Sequence, residues 1–163
     1  MKVFLAQGFW VGRSPWAPGT FGSVIGLLWF AILLLPGNAW IFALGTCAGI
    51  AAAVWLCGEA EKILGQHDPG SIVLDEIVAI PVCFAAVLAT HAIRHGFPNL
   101  HQCLHDWPWW WFPAAFAAFR FFDIAKPWPV KQSQKLPGGL GVVADDLLAA
   151  VWVNVVSLAA VAF

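Results

Sequence analysis

Long apolar segments separated by short polar stretches dominate the sequence. The segments run over about 24–35, 40–56 and 77–93, from the tryptophans at 107–111 to about 122, and from about 147 to 163. A helix needs roughly 20 apolar residues to cross a bilayer, so the first segment is short unless it includes residues 20–23 or thins the bilayer locally. The pattern predicts an all-α fold, a polytopic membrane helical bundle with about five hydrophobic segments.

The stretch from Gly12 to Ser23 interrupts this pattern ahead of the first segment. It contains two prolines and three glycines, which predicts that it is not a regular helix. Thr20 or Ser23 is expected to cap the helix that follows. A glycine-rich loop that leads into a helix N-terminus can also bind phosphate through its free backbone N–H groups. Thr20 and Ser23 are therefore candidate binding residues.

The composition agrees with a membrane protein. Hydrophobic residues make up 61% of the chain and the mean hydropathy is +0.78, whereas about half of a soluble protein is apolar. Eleven Trp and no Tyr indicate anchoring at the membrane–water boundary, where Trp is favoured. At 163 residues the chain is expected to form one domain. A formal net charge of −1 excludes the basic surface that nucleic-acid binding requires.

Positive charge is distributed unevenly between the two ends of the predicted bundle. With five crossings, Arg94 falls on one side of the membrane and the other cations fall on the opposite side: Lys2, Arg13, Lys62, Arg120, Lys126, Lys131 and Lys135. Connections rich in Lys and Arg stay in the cytoplasm. The sequence therefore predicts a cytoplasmic N-terminus, with Ser71 and Ser133 on the cytoplasmic side and Asn99 outside.

Three charged clusters fall on the predicted cytoplasmic side. The first, before the third segment, consists of His67, Asp68, Asp75 and Glu76. The second, at the end of the fourth segment, consists of Arg120, Asp123 and Lys126. The third, which follows a glycine-rich turn ahead of the last segment, consists of Asp145 and Asp146. Because each cluster begins or ends a helix at the same boundary, we expect the bundle to bring them together.

These residue types point to phosphate chemistry. Crowded carboxylates repel one another unless a cation binds between them. Mg²⁺ prefers hard oxygen ligands, and it typically takes one or two carboxylates and completes its shell with water and substrate phosphate. Arg120 and Lys126 supply donors for phosphate oxygens. Carboxylates, a divalent cation and basic side chains are together the parts of metal-assisted phosphoryl transfer.

Simpler interpretations exist for each cluster. The acidic pairs can complement the dipole at a helix N-terminus, and the basic residues can be topology anchors. A cation transporter or channel could use the same carboxylates, but it would need acidic residues in the middle of spans, whereas these lie near helix ends. Four histidines on the far side are interpreted as solvated loop residues: His91, His95, His101 and His105.

Four motifs resemble those of the phosphatidylglycerophosphatase A family. They are Ser-Pro-Trp-Ala-Pro-Gly-Thr-Phe-Gly-Ser at 14–23, His-Asp-Pro-Gly-Ser-Ile-Val-Leu-Asp-Glu at 67–76, Phe-Arg-Phe-Phe-Asp-Ile-Ala-Lys-Pro-Trp-Pro at 119–129 and Gly-Gly-Leu-Gly-Val-Val-Ala-Asp-Asp at 138–146. Their order and spacing are similar to the family's from about residue 8 to 150. The chain departs from the family pattern at Ala79 and Ala150, where glycine is usual, but close helix packing can survive because alanine is also small.

The resemblance implies a Mg²⁺-dependent phosphatase of the bacterial inner membrane, with its active site on the cytoplasmic face. It would remove the terminal phosphate of phosphatidylglycerophosphate to give phosphatidylglycerol. The candidate metal ligands are Asp68, Asp75, Glu76, Asp123, Asp145 and Asp146. The candidate catalytic residues are His67, Asp68, Asp75, Glu76 and Asp145, with His67 as proton donor to the leaving glycerol oxygen. Substrate binding is assigned to Thr20, Ser23, Arg120 and Lys126. The nucleophile, water or a carboxylate, stays open, as do the metal count and the oligomeric state.

Overall fold

The apolar segments fold into helices. The structure is a computed structural model that describes the backbone of residues 1–162 and the side chains of residues 1–160, and no strand occurs in this part of the chain. A short 3-10 turn lies at Val11–Arg13. The helices are α1 (Lys2–Ala6), α2 (Pro18–Leu34), α3 (Ala39–Leu64), α4 (Leu74–Cys83), α5 (Ala85–His95), α6 (Leu100–Asp106), α7 (Trp111–Ala125), α8 (Val130–Ser133) and α9 (Gly139–Ala162).

The five predicted hydrophobic segments correspond to α2, α3, α4 with α5, α7 and α9. Among the described residues, three stretches are long and apolar enough to cross a membrane: Ala39–Leu64, Leu74–His95 and Gly139–Ala160. The α2 helix has 17 residues and α7 has 15, which gives each a length of roughly 22–26 Å at 1.5 Å per residue. The prediction of an all-α membrane protein is confirmed, while the crossing of the bilayer by all five segments stays a prediction. Phe163, at the end of the last segment, lies outside the described residues.

The prediction that residues 12–23 contain no regular helix is wrong from Pro18 onward. Pro18 is the first residue of α2, where its fixed φ suits a helix and its missing N–H would have no helical partner. The cap position is taken by Ala17, without a side-chain cap, so the expected capping by Thr20 or Ser23 is also wrong. The Ser23 hydroxyl instead donates to the carbonyl of Gly19 at 2.9 Å.

Glycines in α2 allow it to approach α4 closely. A Cβ atom placed on Gly22 would lie 2.8 Å from Cβ of Val73, and one placed on Gly26 would lie 2.8 Å from Cβ of Ile80. The spacing of these glycines at i and i+4 puts them on one helix face. Small residues at such a face let backbones pack tightly, and this packing fixes the start of α2 against the start of α4.

The third hydrophobic segment, which contains Pro81, is interrupted. The break lies at Phe84, between α4 and α5. The side chain of Asn154 on α9 bridges the break: its Oδ1 accepts from the backbone N–H of Ala86 at 2.7 Å, and its Nδ2 donates to the carbonyl of Val82 at 2.7 Å. Backbone polar groups at membrane depth need such partners, so α9 stabilises the interrupted helix.

The last helix begins earlier than the apolar pattern predicts. It starts at Gly139 rather than near residue 147, and its first turn lies against α3, where a Cβ atom on Gly139 would meet the carbonyl of Val54. Asp145 and Asp146 consequently lie in its second turn, and no acidic residue occupies its first turn. Because the helix dipole acts mainly within the first turn, complementing it does not explain this pair.

The three charged clusters lie at one end of the bundle, as predicted. They occupy the start of α4, the end of α7 and the first two turns of α9. Helices α1 and α8 close this end, α1 through the ion pair of Lys2 with Glu59 at 2.9 Å. The far end carries α6, where His101 and His105 stack with ring centroids 6.1 Å apart. Both are exposed, as expected of solvated residues, but the interpretation as loop residues is wrong, since they lie in α6 and the other two histidines lie in α5.

Candidate active site

Five carboxylates from three helices form an acidic centre, defined here as Asp75, Glu76, Asp123, Asp145 and Asp146. Oxygen atoms of Asp75, Glu76 and Asp146 lie within 4.8 Å of one another, and oxygen atoms of Asp123, Asp145 and Asp146 do so as well. Asp146 belongs to both groups and is 3% exposed. The acidic centre therefore consists of two adjoining carboxylate triplets that share one residue.

Two oxygen atoms of the acidic centre are buried without a hydrogen-bond partner among the described residues. They are Oδ1 of Asp75 and Oε2 of Glu76. Buried carboxylate oxygens are normally satisfied, because an unpaired buried charge is strongly unfavourable. A cap would leave a different signature, since a capping carboxylate accepts from a backbone N–H, and α4 has no side-chain cap. Orphaned oxygens within a carboxylate triplet fit a divalent cation with hard oxygen ligands.

Two basic side chains at the end of α7 lie beside the acidic centre. Nη1 of Arg120 is 2.9 Å from Oδ2 of Asp123 and 3.5 Å from Oε1 of Glu76. Despite these short distances, Nε and Nη1 of Arg120 make no aligned hydrogen bond within the described part of the chain. The guanidinium therefore has donor capacity left beside its ion pairs, on nitrogen atoms that are buried in this structure.

Lys126 follows α7 in a left-handed conformation, with φ of 44°, and its Nζ donates to Oδ2 of Asp145 at 2.7 Å. Burial lowers the pKa of Lys126, but the hydrogen bond to Asp145 and the negative charges of Asp145, Asp123 and Asp68 outweigh this effect and raise it. The ammonium is therefore a fixed positive charge at the edge of the acidic centre.

The first turn of α2 forms one wall of the site. A Cβ atom placed on Gly19 would meet Oε1 of Glu76 and would lie 3.0 Å from Nη1 of Arg120. Gly19 thus gives the backbone the room to approach both side chains. Thr20 is half-buried and its hydroxyl makes no hydrogen bond to the described residues of the site, while the hydroxyl of Ser23 is occupied within α2. Neither hydroxyl makes a hydrogen bond to the acidic centre.

The loop between α3 and α4 places His67 and Asp68 at the rim of the site. Both residues are exposed, and Oδ2 of Asp68 accepts from Nε2 of Gln134 at 3.2 Å. Asp68 belongs to neither carboxylate triplet, although its charge acts on Lys126. These two predicted residues therefore lie beside the acidic centre rather than within it.

One residue at this rim was missed by the sequence analysis. Glu61 is 8% exposed, and its Oε1 is 2.8 Å from Nδ1 of His67 and accepts from the backbone N–H of Asp68 at 2.8 Å. The position of Glu61 in the sequence does indicate that its carboxylate has a specific partner. Glu61 lies in the last turn of α3, where the helix dipole disfavours negative charge, so a carboxylate there calls for a local partner.

Comparisons with known proteins agree with the geometry and the motifs. The sequence model of the family described as phosphatidylglycerophosphatase A matches residues 4–161. Phosphatidylglycerophosphatase A of Haemophilus influenzae is 38% identical over 156 residues, which cover 95% of this chain and 85% of the relative. Phosphatidylglycerophosphatase A of Escherichia coli is 35% identical over 149 residues, which cover 90% and 76%.

A third relative carries a different name. A Bacteroides thetaiotaomicron protein, provisionally named a phosphatidylinositol-3-phosphatase, is 35% identical over 156 residues, which cover 93% of this chain and 88% of the relative. No solved structure matches the chain significantly. The match to the family model over nearly the whole chain confirms the resemblance that the four motifs carry. The chain therefore belongs to the phosphatidylglycerophosphatase A family.

Proposed function

We propose that the protein is a membrane phosphatase that hydrolyses the terminal phosphate monoester of phosphatidylglycerophosphate, giving phosphatidylglycerol and inorganic phosphate. The observation that carries this proposal is the pair of adjoining carboxylate triplets beside Arg120 and Lys126, in a chain that matches the family over residues 4–161. Carboxylates that gather with an arginine and a lysine at one end of an apolar bundle suit a phosphate group whose lipid tails stay in the bilayer.

The acidic centre is the proposed Mg²⁺ site. Its ligands would come from Asp75, Glu76, Asp123, Asp145 and Asp146, and the orphaned oxygens of Asp75 and Glu76 support this assignment. When bound, Mg²⁺ would neutralise charge on the phosphate oxygens and act as a Lewis acid. Asp68, which the sequence placed among the ligands, is assigned to the rim instead, because it joins neither triplet.

Arg120 and Lys126 are the proposed phosphate-binding residues. The planar guanidinium of Arg120 can bind two phosphate oxygens at once, while Lys126 acts as a point charge. Donors that are already held in place by Asp123 and Asp145 need little reorganisation as negative charge develops on the phosphate. Thr20 and Ser23 are not included in this assignment because neither hydroxyl makes a hydrogen bond to a residue of the acidic centre.

His67 is the proposed proton donor to the leaving glycerol oxygen. A proton donor must lie within hydrogen-bond reach of the atom that it protonates, directly or through one water. The imidazole of His67 is exposed at the rim and is therefore accessible to a lipid head group. The attacking oxygen belongs either to water or to a carboxylate of the acidic centre. A carboxylate would form an acyl phosphate, which rapid-quench experiments with radiolabelled phosphate can trap.

We further infer that this site faces the cytoplasm in a bacterial inner membrane. The cations at the site end of the bundle support this orientation under the positive-inside rule, because Arg94 alone lies near the far end among the described lysines and arginines. A cytoplasmic site would act on lipids in the inner leaflet.

The activity can be tested with purified protein in detergent micelles that contain defined lipids. Phosphate release from phosphatidylglycerophosphate is expected with Mg²⁺ and is expected to stop with a chelator. Phosphatidylinositol 3-phosphate is the matched comparison, because the Bacteroides relative is named for it, and glycerol 3-phosphate tests the need for acyl chains. Equal rates on glycerol 3-phosphate, or no release from phosphatidylglycerophosphate, would contradict the proposal.

A further inference from the structure

Glu61 is a buried carboxylate outside the acidic centre that binds the rim of the site. It lies in the last turn of α3, which ends at Leu64, and it is 8% exposed. Burial of a carboxylate is unfavourable unless it is hydrogen-bonded, and the dipole at a helix C-terminus adds to the penalty. The hydrogen bonds that Glu61 makes must therefore offset both unfavourable effects.

Both of its partners belong to one short loop. Oε1 of Glu61 accepts from the backbone N–H of Asp68 at 2.8 Å and bonds Nδ1 of His67 at 2.8 Å, with the imidazole as donor because a carboxylate only accepts. Asp68 has φ of 47°, a left-handed conformation that is uncommon outside glycine. A single carboxylate thus holds both the strained backbone of Asp68 and the ring orientation of His67.

The end of α3 does not need Glu61 as a cap. Gly65 terminates the helix in a left-handed conformation, and its N–H donates to the backbone carbonyl of Glu61 at 2.9 Å. This backbone bond alone forms a common helix stop. The side-chain carboxylate of Glu61 is therefore not required to end α3, and its hydrogen bonds go to the loop instead.

The side chain of Asp68 connects the loop to residues outside it. Oδ2 of Asp68 accepts from Gln134 at 3.2 Å, and Asp68 lies close enough to Lys126 for its charge to act on that ammonium. Lys126 in turn binds Asp145 at 2.7 Å. A displacement of Asp68 would consequently change the charge at the phosphate-binding lysine.

We propose that Glu61 is a positioning residue of this enzyme, which holds Asp68 and His67 at the rim so that the Asp68 carboxylate keeps its place against Gln134 and its electrostatic effect on Lys126. The inference rests on the proposed phosphatase function. It assigns a role in the reaction to a residue that touches neither the phosphate site nor the acidic centre.

The first test measures the amide exchange of the loop and does not depend on phosphatase activity. Hydrogen–deuterium exchange of peptides that span residues 65–73 should rise in Glu61→Ala by roughly tenfold at the Asp68 amide, because a hydrogen bond to that N–H is lost. Glu61→Gln keeps an amide oxygen that can accept from the same N–H, so its exchange should stay within about twofold of the wild type. Unchanged exchange in Glu61→Ala would overturn the proposal.

Glu59→Gln is the matched control. Glu59 lies on the same helical turn but pairs with Lys2 and Lys62. Its substitution by glutamine should therefore leave both the hydrogen–deuterium exchange of the loop and the phosphatase activity unchanged. Melting temperatures of all variants in the same detergent show whether any of them unfolds. If Glu61→Ala unfolds, Glu61→Leu and Glu61→Gln are compared instead, since leucine fills the buried volume without an acceptor.

The second test is a mutant cycle on phosphate release. Glu61→Ala should lower kcat/KM by about tenfold in the wild-type background and by at most twofold in a background that carries both His67→Ala and Asp68→Ala, because residues that act through one another are not additive. An equal tenfold loss in both backgrounds would show that Glu61 acts elsewhere. A wild-type protein with no phosphate release would refute the proposed function, whereas the exchange experiment would still decide whether Glu61 holds the loop.

Discussion

At the scale of single residues, Asp146 has the most demanding position in the site because both carboxylate triplets include it. We expect Asp146→Asn to lower phosphate release by about a hundredfold or more, which is comparable to the loss of one strong electrostatic contact in a catalytic site. The same change should raise the melting temperature of metal-free protein by about 2–4 °C for each kcal/mol of charge repulsion relieved. Initial rates against Mg²⁺ concentration and thermal unfolding with a chelator measure the two effects.

Opposite effects on activity and metal-free stability would distinguish a metal ligand from a residue that serves only packing. A packing role predicts that Asp146→Asn loses stability with or without Mg²⁺. Asp123→Asn is the comparison, since Asp123 belongs to one triplet only, and we expect it to affect the Mg²⁺ requirement less. Similar Mg²⁺ curves for the two variants would contradict the shared position of Asp146.

Metal binding itself should be visible as stabilisation. A ligand that binds only the folded state raises the melting temperature with its concentration, so Mg²⁺ should raise that of the wild type in detergent. Asp146→Asn should lose most of this shift, whereas Lys62→Gln, on the exposed end of α3, should keep it. A wild-type melting temperature that does not depend on Mg²⁺ up to millimolar concentrations would argue against a resident ion.

The raised pKa of Lys126 gives a pH dependence with a definite sign. A lysine whose pKa is higher in the folded state than its usual value of 10.5 contributes stability that is fully present below 10.5 and is lost as the pH rises through the raised value. The melting-temperature difference between wild type and Lys126→Gln should therefore stay constant from pH 7 to about pH 10 and shrink only above it. A difference that disappears between pH 7 and pH 9 would contradict the ion pair with Asp145.

Much of the site was predictable at this scale, and the exceptions have physical reasons. Asp75, Asp145 and Arg120 stand out because charges are rare in an apolar chain, and all three lie beside helix ends. Glu61 was missed because Glu59 and Lys62 surround it, and such a run is typical of a solvated helix end. The sequence also does not show which charged residue turns inward, since burial depends on tertiary packing.

At the scale of helices, the contact between α2 and α4 determines the shape of the site. Gly19→Ala would force a Cβ atom against Glu76 and the guanidinium of Arg120, so we expect a loss of at least tenfold in kcat/KM, because small misplacements of catalytic groups are costly. Gly70→Ala is the control, since nothing lies within 4 Å of its Cβ position and its effect should be within twofold. Equal activity in the two variants would mean that α2 does not form the wall of the site.

A second prediction at this scale concerns the break between α4 and α5, which Asn154 bridges. Asn154→Leu would leave the N–H of Ala86 and the carbonyl of Val82 without their partners, and each unsatisfied buried group costs about 1–3 kcal/mol. We expect a clear fall in melting temperature, with the Mg²⁺ dependence of the remaining activity unchanged. Val155→Leu, on the exposed face of α9, should melt like the wild type, and an unchanged Asn154→Leu protein would remove this role from Asn154.

Helix existence could be predicted here, but helix limits could not. The apolar pattern identifies five segments, yet the starts of α2 and α9 carry glycines and a proline, which indicate loops in most sequences. In this chain those residues are small enough to fit against neighbouring backbones, as Gly139 fits against Val54. Tertiary contact therefore extends both helices beyond the range that their local sequence predicts.

At the scale of the whole molecule, the orientation in the membrane is the main open prediction. Single cysteines at Gln66, Gln132 and His101, all exposed, in a chain without its four native cysteines, report which side each loop faces. Gln132 is used in place of its neighbour Ser133, whose side was predicted, because Ser133 is buried. Five crossings with the site in the cytoplasm require that an impermeant thiol reagent added outside labels only position 101. Labelling of 66 or 132 from outside would contradict the model of five crossings.

The sequence separation of the carboxylate triplets has a consequence for biogenesis. Asp75 and Glu76 enter the membrane on α4, but the partner that completes their triplet, Asp146, is synthesised about 70 residues later on α9. The same helix brings Asn154 to the open backbone between α4 and α5. Until α9 is inserted, the nascent chain holds acidic side chains and unpaired backbone groups that have no partner. Insertion of the last helix thus completes both the fold and the site in one step, and a chain truncated before Gly139 would be inactive and a substrate for membrane proteases.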